Sequence, residues 1–194
     1  WSRIDVRSDG GGELQSGKTL RIGGFRVTPV ATSHDAAEPV AFVFDDGDHS
    51  AAVCTDTGIV TPLLEQRLQG CELLLLEANH DSDMLRNGPY SWPLKQRIAS
   101  RLGHLGNHQT EEALDRIRCA QLKGVVGLHL SAENNSIQLA NESLQRSMNG
   151  SVPVTAVPRT EMLRVVVGGR VLVVAAHPVH PVVQRAVDAL EDQA

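Results

Sequence analysis

Two unbroken apolar runs set the strongest limit on how this chain can fold: residues 72–77 (ELLLLE) and 124–130 (GVVGLHL). Each has strand length and no polar alternation, so each predicts a strand covered on both faces. Such strands need covering helices, and helical patterns flank both runs. Thr61-Pro62 supplies a cap followed by proline at the first helical position, with Leu63, Leu64 and Leu68 on one face. Further helices are expected over 93–101, 109–120 and 137–148, with a closing helix over 182–190. The first third reads differently. Short β runs at 19–22, 25–31, 40–44 and 50–54, broken by Gly23-Gly24 and by Asp45-Asp46-Gly47-Asp48, predict an antiparallel meander. Gly168-Gly169, between runs at 163–167 and 170–175, predicts a hairpin. Hairpins followed by alternating strands and helices make an α/β layered domain with a mixed sheet.

Composition narrows the partners. Hydrophobic residues are 41% of the 194 and aromatics only 3%, so Val, Leu, Ile and Ala must fill the core. At a net charge of -5, a nucleic-acid partner requires a local basic patch or bound cations. The three cysteines show no CxxC pair, which argues against a disulfide framework or a cysteine zinc site. No apolar stretch approaches the roughly 18 residues of a membrane span. The opening WSRIDVRSDGGG lacks the pattern of a secretion signal, so no membrane association and a cytoplasmic location are expected. With no repeat and no linker, residues 1–194 are expected to form one domain or one part of a larger one. The start at Trp1 leads us to expect a missing upstream segment.

Three motifs each sit where an apolar run gives way to a polar loop: SHDAAEP (33–39), TDTG (55–58) and LHLS (128–131). Loops at strand ends can converge on one rim of a sheet. His34, Asp56 and His129 would there offer two imidazoles and a carboxylate, which are ligands for divalent zinc, manganese or iron. Taken singly, a histidine at a strand end is more often a surface or hydrogen-bonded residue than a ligand.

The words SHDAAEP, TDTG, LEANHD, MLRNGPYSWPLKQRI, GHLGN and LHLSAENN, in this order, resemble the YycJ/WalJ group of metallo-β-lactamase-fold hydrolases. The resemblance spans about residues 20–144; residues 150–194 lie outside it. It implies a metallo-β-lactamase-like αββα sandwich with two divalent ions, zinc or manganese, and an exonuclease acting on DNA from the 5′ end. It also implies that a hydroxide bridging the ions is the nucleophile. By position, His34 and His129 resemble metal ligands, and Asp56 resembles the bridging aspartate on which catalysis depends. The family's HxHxDH motif is absent here, so the chain is expected to be a C-terminal portion lacking the first strands, to bind metal weakly, and to have an incomplete site. The alternatives are a non-catalytic binding or assembly module on the same scaffold, and a hydrolase of a small phosphodiester or ester.

Around this core lie candidate substrate contacts. Residues 86–101 (RNGPYSWPLKQRIASR) carry Arg86, Lys95, Arg97 and Arg101, no acidic residue, and the aromatics Tyr90 and Trp92. Such a segment suits a nucleic-acid track, although by its residues alone it reads more often as a solvated helix face with Trp92 packed inward. Asn79 and His80 could contact a phosphate or transfer a proton, or simply form a turn. His104 falls in a glycine-containing loop, with Asn107 as a candidate helix cap. Ser131 could support the metal shell or cap the helix near Ile137. His49, in the DDGDHS turn, is expected at the surface, as are His177 and His180.

Overall fold

Residue alternation and turn chemistry shape the first half of the sheet. The computed structural model describes residues 15–22, 24–158, 162–167 and 170–175. Strands β1 (Leu20–Ile22), β2 (Phe25–Ala31), β3 (Val40–Asp45) and β4 (Ser50–Cys54) pair antiparallel in order. The β3–β4 turn is built from carboxylates bonding backbone: Asp45 Oδ1 accepts from Gly47 N, and Asp46 Oδ1 from Asp48 N and His49 N. Gly47 there has φ of 107°, a conformation that glycine adopts without a Cβ clash.

After β4 the direction rule changes. Helix α1 (Pro62–Leu68), capped by the Thr61 hydroxyl accepting from Leu64 N, leads into β5 (Leu73–Glu77), which runs parallel to β4. Helices α2 (Ser82–Asn87), α3 (Trp92–Ile98) and α4 (Asn107–Ile117) precede β6 (Gly124–Leu128), parallel to β5. Helix α5 (Ile137–Met148), capped by Ser136, leads to β7 (Val154–Ala156), parallel to β6. The sheet order is β1 to β7 in sequence, and β8 (Met162–Val167) with β9 (Arg170–Ala175) forms a separate antiparallel pair.

The pleat divides the core in two. Ala52, Cys54, Leu74, Leu76 and Val125 point to one face, against Leu64 and Leu68 of α1, Leu114 and Ile117 of α4, and Leu144 and Met148 of α5. Ala51, Leu75, Val126 and Leu128 point to the other, where Phe25 and Val27 join them and Phe42 and Phe44 remain half-buried. With β5 and β6 so covered on both faces, their lack of polar alternation follows.

The expected α/β architecture with a mixed sheet is present. Helix α2 and strand β7 are additions that the sequence reading did not expect. The helix expected over 93–101 ends at Ile98 because residues 99–103 turn back in short backbone bonds, Ser100 N to Arg97 O and Gly103 N to Ser100 O. Asn107 is the first residue of α4 and its cap is Gly106, whose N–H donates to Gln109 Oε1. The helix cap near Ile137 is Ser136, not Ser131. The turn between β8 and β9, the expected helix over 182–190, His177 and His180 lie outside the described residues. Among the described residues, no helix is long and apolar enough to cross a membrane.

Candidate metal centre

Strands β4, β5 and β6 are parallel and β2 shares their direction, so all four end at one edge of the sheet. That edge is where open α/β sheets present their ligands. His34 follows β2, Asp56 follows β4, Glu77 closes β5 and His129 follows β6; His104 arrives from the loop before α4. Asp56 and His129 have φ of 53° and 58°, and the other non-glycine residue there among those described is Asn149, a helix C-cap. Left-handed backbone at a side chain costs of order 1–3 kcal/mol and collects at functional positions.

These residues form one cluster. Asp56 Oδ1 lies 3.9 Å from His34 Nε2, 3.8 Å from His104 Nδ1 and 3.6 Å from His129 Nδ1. Ring centroids are 4.9 Å apart for His34 and His104, and 5.2 Å for His104 and His129. Ligand atoms of Asp56, Glu77, His104 and His129 all lie within 4.8 Å of one another. The Asp56 side chain is 40% exposed and that of Glu77 is 0%, so the cluster opens to solvent on the aspartate side and is sealed behind.

Glu77 organises the sealed side. His104 Nδ1 and His129 Nδ1 each donate to its Oε1 at 2.7 Å, and Thr57 N donates to Oε2 at 2.9 Å. Burial alone pushes this carboxyl up, but the bonds from His104 and His129 outweigh it and hold the pKa at about 2. An ionised carboxylate only accepts, so each neutral imidazole carries its proton on Nδ1 and its lone pair on Nε2. His34 is oriented likewise, with Nδ1 2.8 Å from the Gly103 carbonyl oxygen. Imidazoles fixed through one nitrogen, beside a partly exposed carboxylate, form a mixed donor set that fits a divalent cation.

The structure brings His34, Asp56, His104 and His129 together and adds Glu77, which the sequence reading did not single out. The signal for it was a charged residue ending an otherwise apolar buried run, because a buried carboxylate requires several donors. The other expected residues lie further out. Asn79 is buried, and its side-chain amide donates to His129 O at 2.9 Å while its backbone bonds Leu105 O and Ser131 N. It therefore fastens three loops together. His80 is 3% exposed, and burial lowers its pKa to about 4. Ser131 Oγ accepts from Asn134 N at 3.1 Å, a local turn.

The basic segment departs from the expectation that Trp92 packs inward. Arg86 pairs with Asp83, Arg97 pairs with Asp35, and Lys95 Nζ donates to Arg86 O. Trp92 points outward, 65% exposed, and α3 buries none of its residues. His49 is not simply at the surface: its Nδ1 lies 2.7 Å from Glu72 Oε2, joining the start of β4 to the start of β5.

Residues 10–129 match the family model described as a beta-lactamase superfamily domain. The chain belongs to this superfamily. It is 37% identical over 162 residues to an exodeoxyribonuclease WalJ of Streptococcus pneumoniae, covering 77% of this chain and 60% of that protein. It is 35% identical over 130 residues to the exodeoxyribonuclease YycJ of Bacillus anthracis, covering 67% of this chain and 49% of that protein. The chain thus spans about half the length of the curated relatives it matches. The metallo-β-lactamase fold protein YhfI of Bacillus subtilis has the same fold, with a TM-score of 0.58 at 18% identity, over 76% of this chain and 53% of that one.

Proposed function

We propose that this chain supplies His34, Asp56 and His129 to a divalent-metal phosphodiesterase centre whose substrate is DNA, degraded from the 5′ end. The observation that carries the reading is the cluster itself: ligand atoms of Asp56, Glu77, His104 and His129 lie within 4.8 Å of one another, and His34 Nε2 lies 3.9 Å from Asp56 Oδ1. The exodeoxyribonuclease names of the two relatives support DNA, and the resemblance in the motif words supports the 5′ polarity. When bound, divalent cations acidify water and neutralise charge on phosphoryl oxygens. The nitrogen and oxygen donors suit zinc and manganese alike.

The remaining steps belong to this chain's own side chains. Asp56 faces solvent and would hold cations and substrate water in line. Glu77 fixes the rings of His104 and His129, which leaves the Nε2 lone pair of His129 for a cation and that of His104 for a proton. The His104 side chain is 22% exposed and can hand such a proton to a departing alkoxide. The cytoplasmic location expected from the sequence belongs to the same proposal.

The test uses the protein in its natural polypeptide with linear duplex DNA labelled at either end and added manganese or zinc. Early release of the 5′ label, abolished by chelator and by Asp56→Ala, is expected. Metal-independent cleavage, or cleavage unchanged in Asp56→Ala, would overturn the proposal.

A further inference from the structure

Helix α3 and the turn after it are locked onto the His34 and Asp56 loops. Asp35 N donates to Leu102 O at 3.0 Å, Ser33 Oγ to Arg101 O at 2.8 Å, and Arg97 pairs with Asp35. One glycine makes this approach possible, and a second lets the turn fold back against α3. A Cβ on Gly58 would collide with the Ser100 carbonyl oxygen, and one on Gly103 with the Arg97 and Ile98 carbonyl oxygens. A helix clamped backbone to backbone on a catalytic rim would ordinarily bury an apolar side. Instead, Trp92 is 65%, Leu94 37% and Leu102 53% exposed. The same segment holds Lys95 and Arg101, which have no carboxylate partner among the described residues, within a chain of net charge -5.

Apolar and aromatic surface beside cations, held rigidly next to a candidate phosphodiesterase centre, matches one occupant by charge and by chemistry. We propose that Trp92 is a stacking platform for an unpaired nucleobase of a single DNA strand led into the centre, with Lys95 and Arg101 facing its phosphates. This rests on the reading of the centre as acting on DNA. Bases stack on aromatic faces whatever their identity, so the platform grips a strand without reading its sequence. It makes unpaired DNA the bound form at this rim and gives the carboxylate-paired Arg97 a role in holding α3 in place.

The test exploits the presence of only two tryptophans. In a Trp1→Phe background of this chain, Trp92 is the sole indole, and its fluorescence is followed on titration with a single-stranded oligonucleotide and with an abasic oligonucleotide of equal length and charge. Quenching by the first alone is expected, with affinity about tenfold or more above that for the abasic strand. For the Trp92 variants, which keep no indole, affinity is read from the anisotropy of a dye-labelled strand: Trp92→Ala should erase the difference, and Trp92→Phe should restore most of it. Equal affinity for both strands, unaffected by Trp92→Ala, would overturn the platform while leaving the phosphodiesterase reading intact. Binding of neither strand would remove DNA as the substrate and this inference with it. Quenching that rises with protein concentration in the absence of DNA would overturn the platform by showing a contact between copies of the chain.

Discussion

Replacing Glu77 by glutamine tests how the centre is held together. The carboxylate accepts from His104 Nδ1 and His129 Nδ1 at 2.7 Å, from Thr57 N at 2.9 Å and from Leu105 N at 3.5 Å. Glutamine has nearly the same volume but only one oxygen, so its amide nitrogen must face buried N–H donors. A stranded buried donor costs about 1–3 kcal/mol. Linkage gives an independent figure. A carboxyl held at about 2 in place of 4.5 contributes about 3 kcal/mol at neutral pH. The two figures describe the same bonds, so Glu77→Gln should lose about 3 kcal/mol in all. Because the folded pKa is depressed, the contribution is complete above pH 4.5 and is lost as pH falls toward 2. The gap between parent and variant should shrink to about 1 kcal/mol at pH 3. Urea denaturation with chelator present, at pH 7 and pH 3, measures it. A gap below about 1 kcal/mol at pH 7, or one independent of pH, would refute the assignment of Glu77 as the ionised hub.

In the natural polypeptide, Asp56→Ala should abolish hydrolysis, whereas His49→Ala should keep it and lose only the roughly 0–1 kcal/mol of a partly exposed ion pair with Glu72; equal rates on linear duplex would contradict this. Gly103→Ala should cost roughly 1–3 kcal/mol by forcing the turn at 103 off the Arg97 and Ile98 carbonyl oxygens of α3, read as a fall of roughly 2–4 °C in Tm per kcal/mol, and an unchanged Tm would contradict it. The His80 imidazole should remain neutral down to about pH 4, so stability tied to it falls as pH drops from 6.5 toward 4; an NMR titration midpoint near 6.5 would reject its burial. After dialysis the 194-residue chain should retain well under one equivalent of zinc or manganese, because His34, Asp56 and His129 are too few donors for two ions; two tightly held ions by elemental analysis would overturn that count.

What could be read from the sequence was whatever local pattern alone decides. The strands at Phe25–Ala31 and Ser50–Cys54 and the helix at Ile137–Met148 have the bounds their residues predict, because turns and caps fix both ends. His34, Asp56 and His129 could be grouped because each follows a strand, and parallel strands end on one side. Other features depend on register between distant segments. Glu72 meets His49 only because β4 and β5 pair with Ala51 opposite Leu73, and no local signal encodes that contact. Trp92 was free to point either way on a seven-residue helix. Its outward direction goes with the docking of the 99–103 turn on the His34 loop through Asp35 N to Leu102 O and Ser33 Oγ to Arg101 O, contacts made outside the helix itself. Glu77 escaped notice because a strand-ending glutamate looks solvated until His104 and His129 are placed beside it.

The central claim is that the Asp56 cluster is a divalent metal centre, and anomalous diffraction tests it most directly. Crystals of the chain soaked in millimolar zinc or manganese would be measured at the metal's absorption edge. The account predicts a peak at about 2.0–2.2 Å from an Asp56 carboxylate oxygen, with an imidazole nitrogen of His34 or His129 at similar distance. A metal peak elsewhere with none at Asp56, or no peak at a saturating concentration, would contradict it.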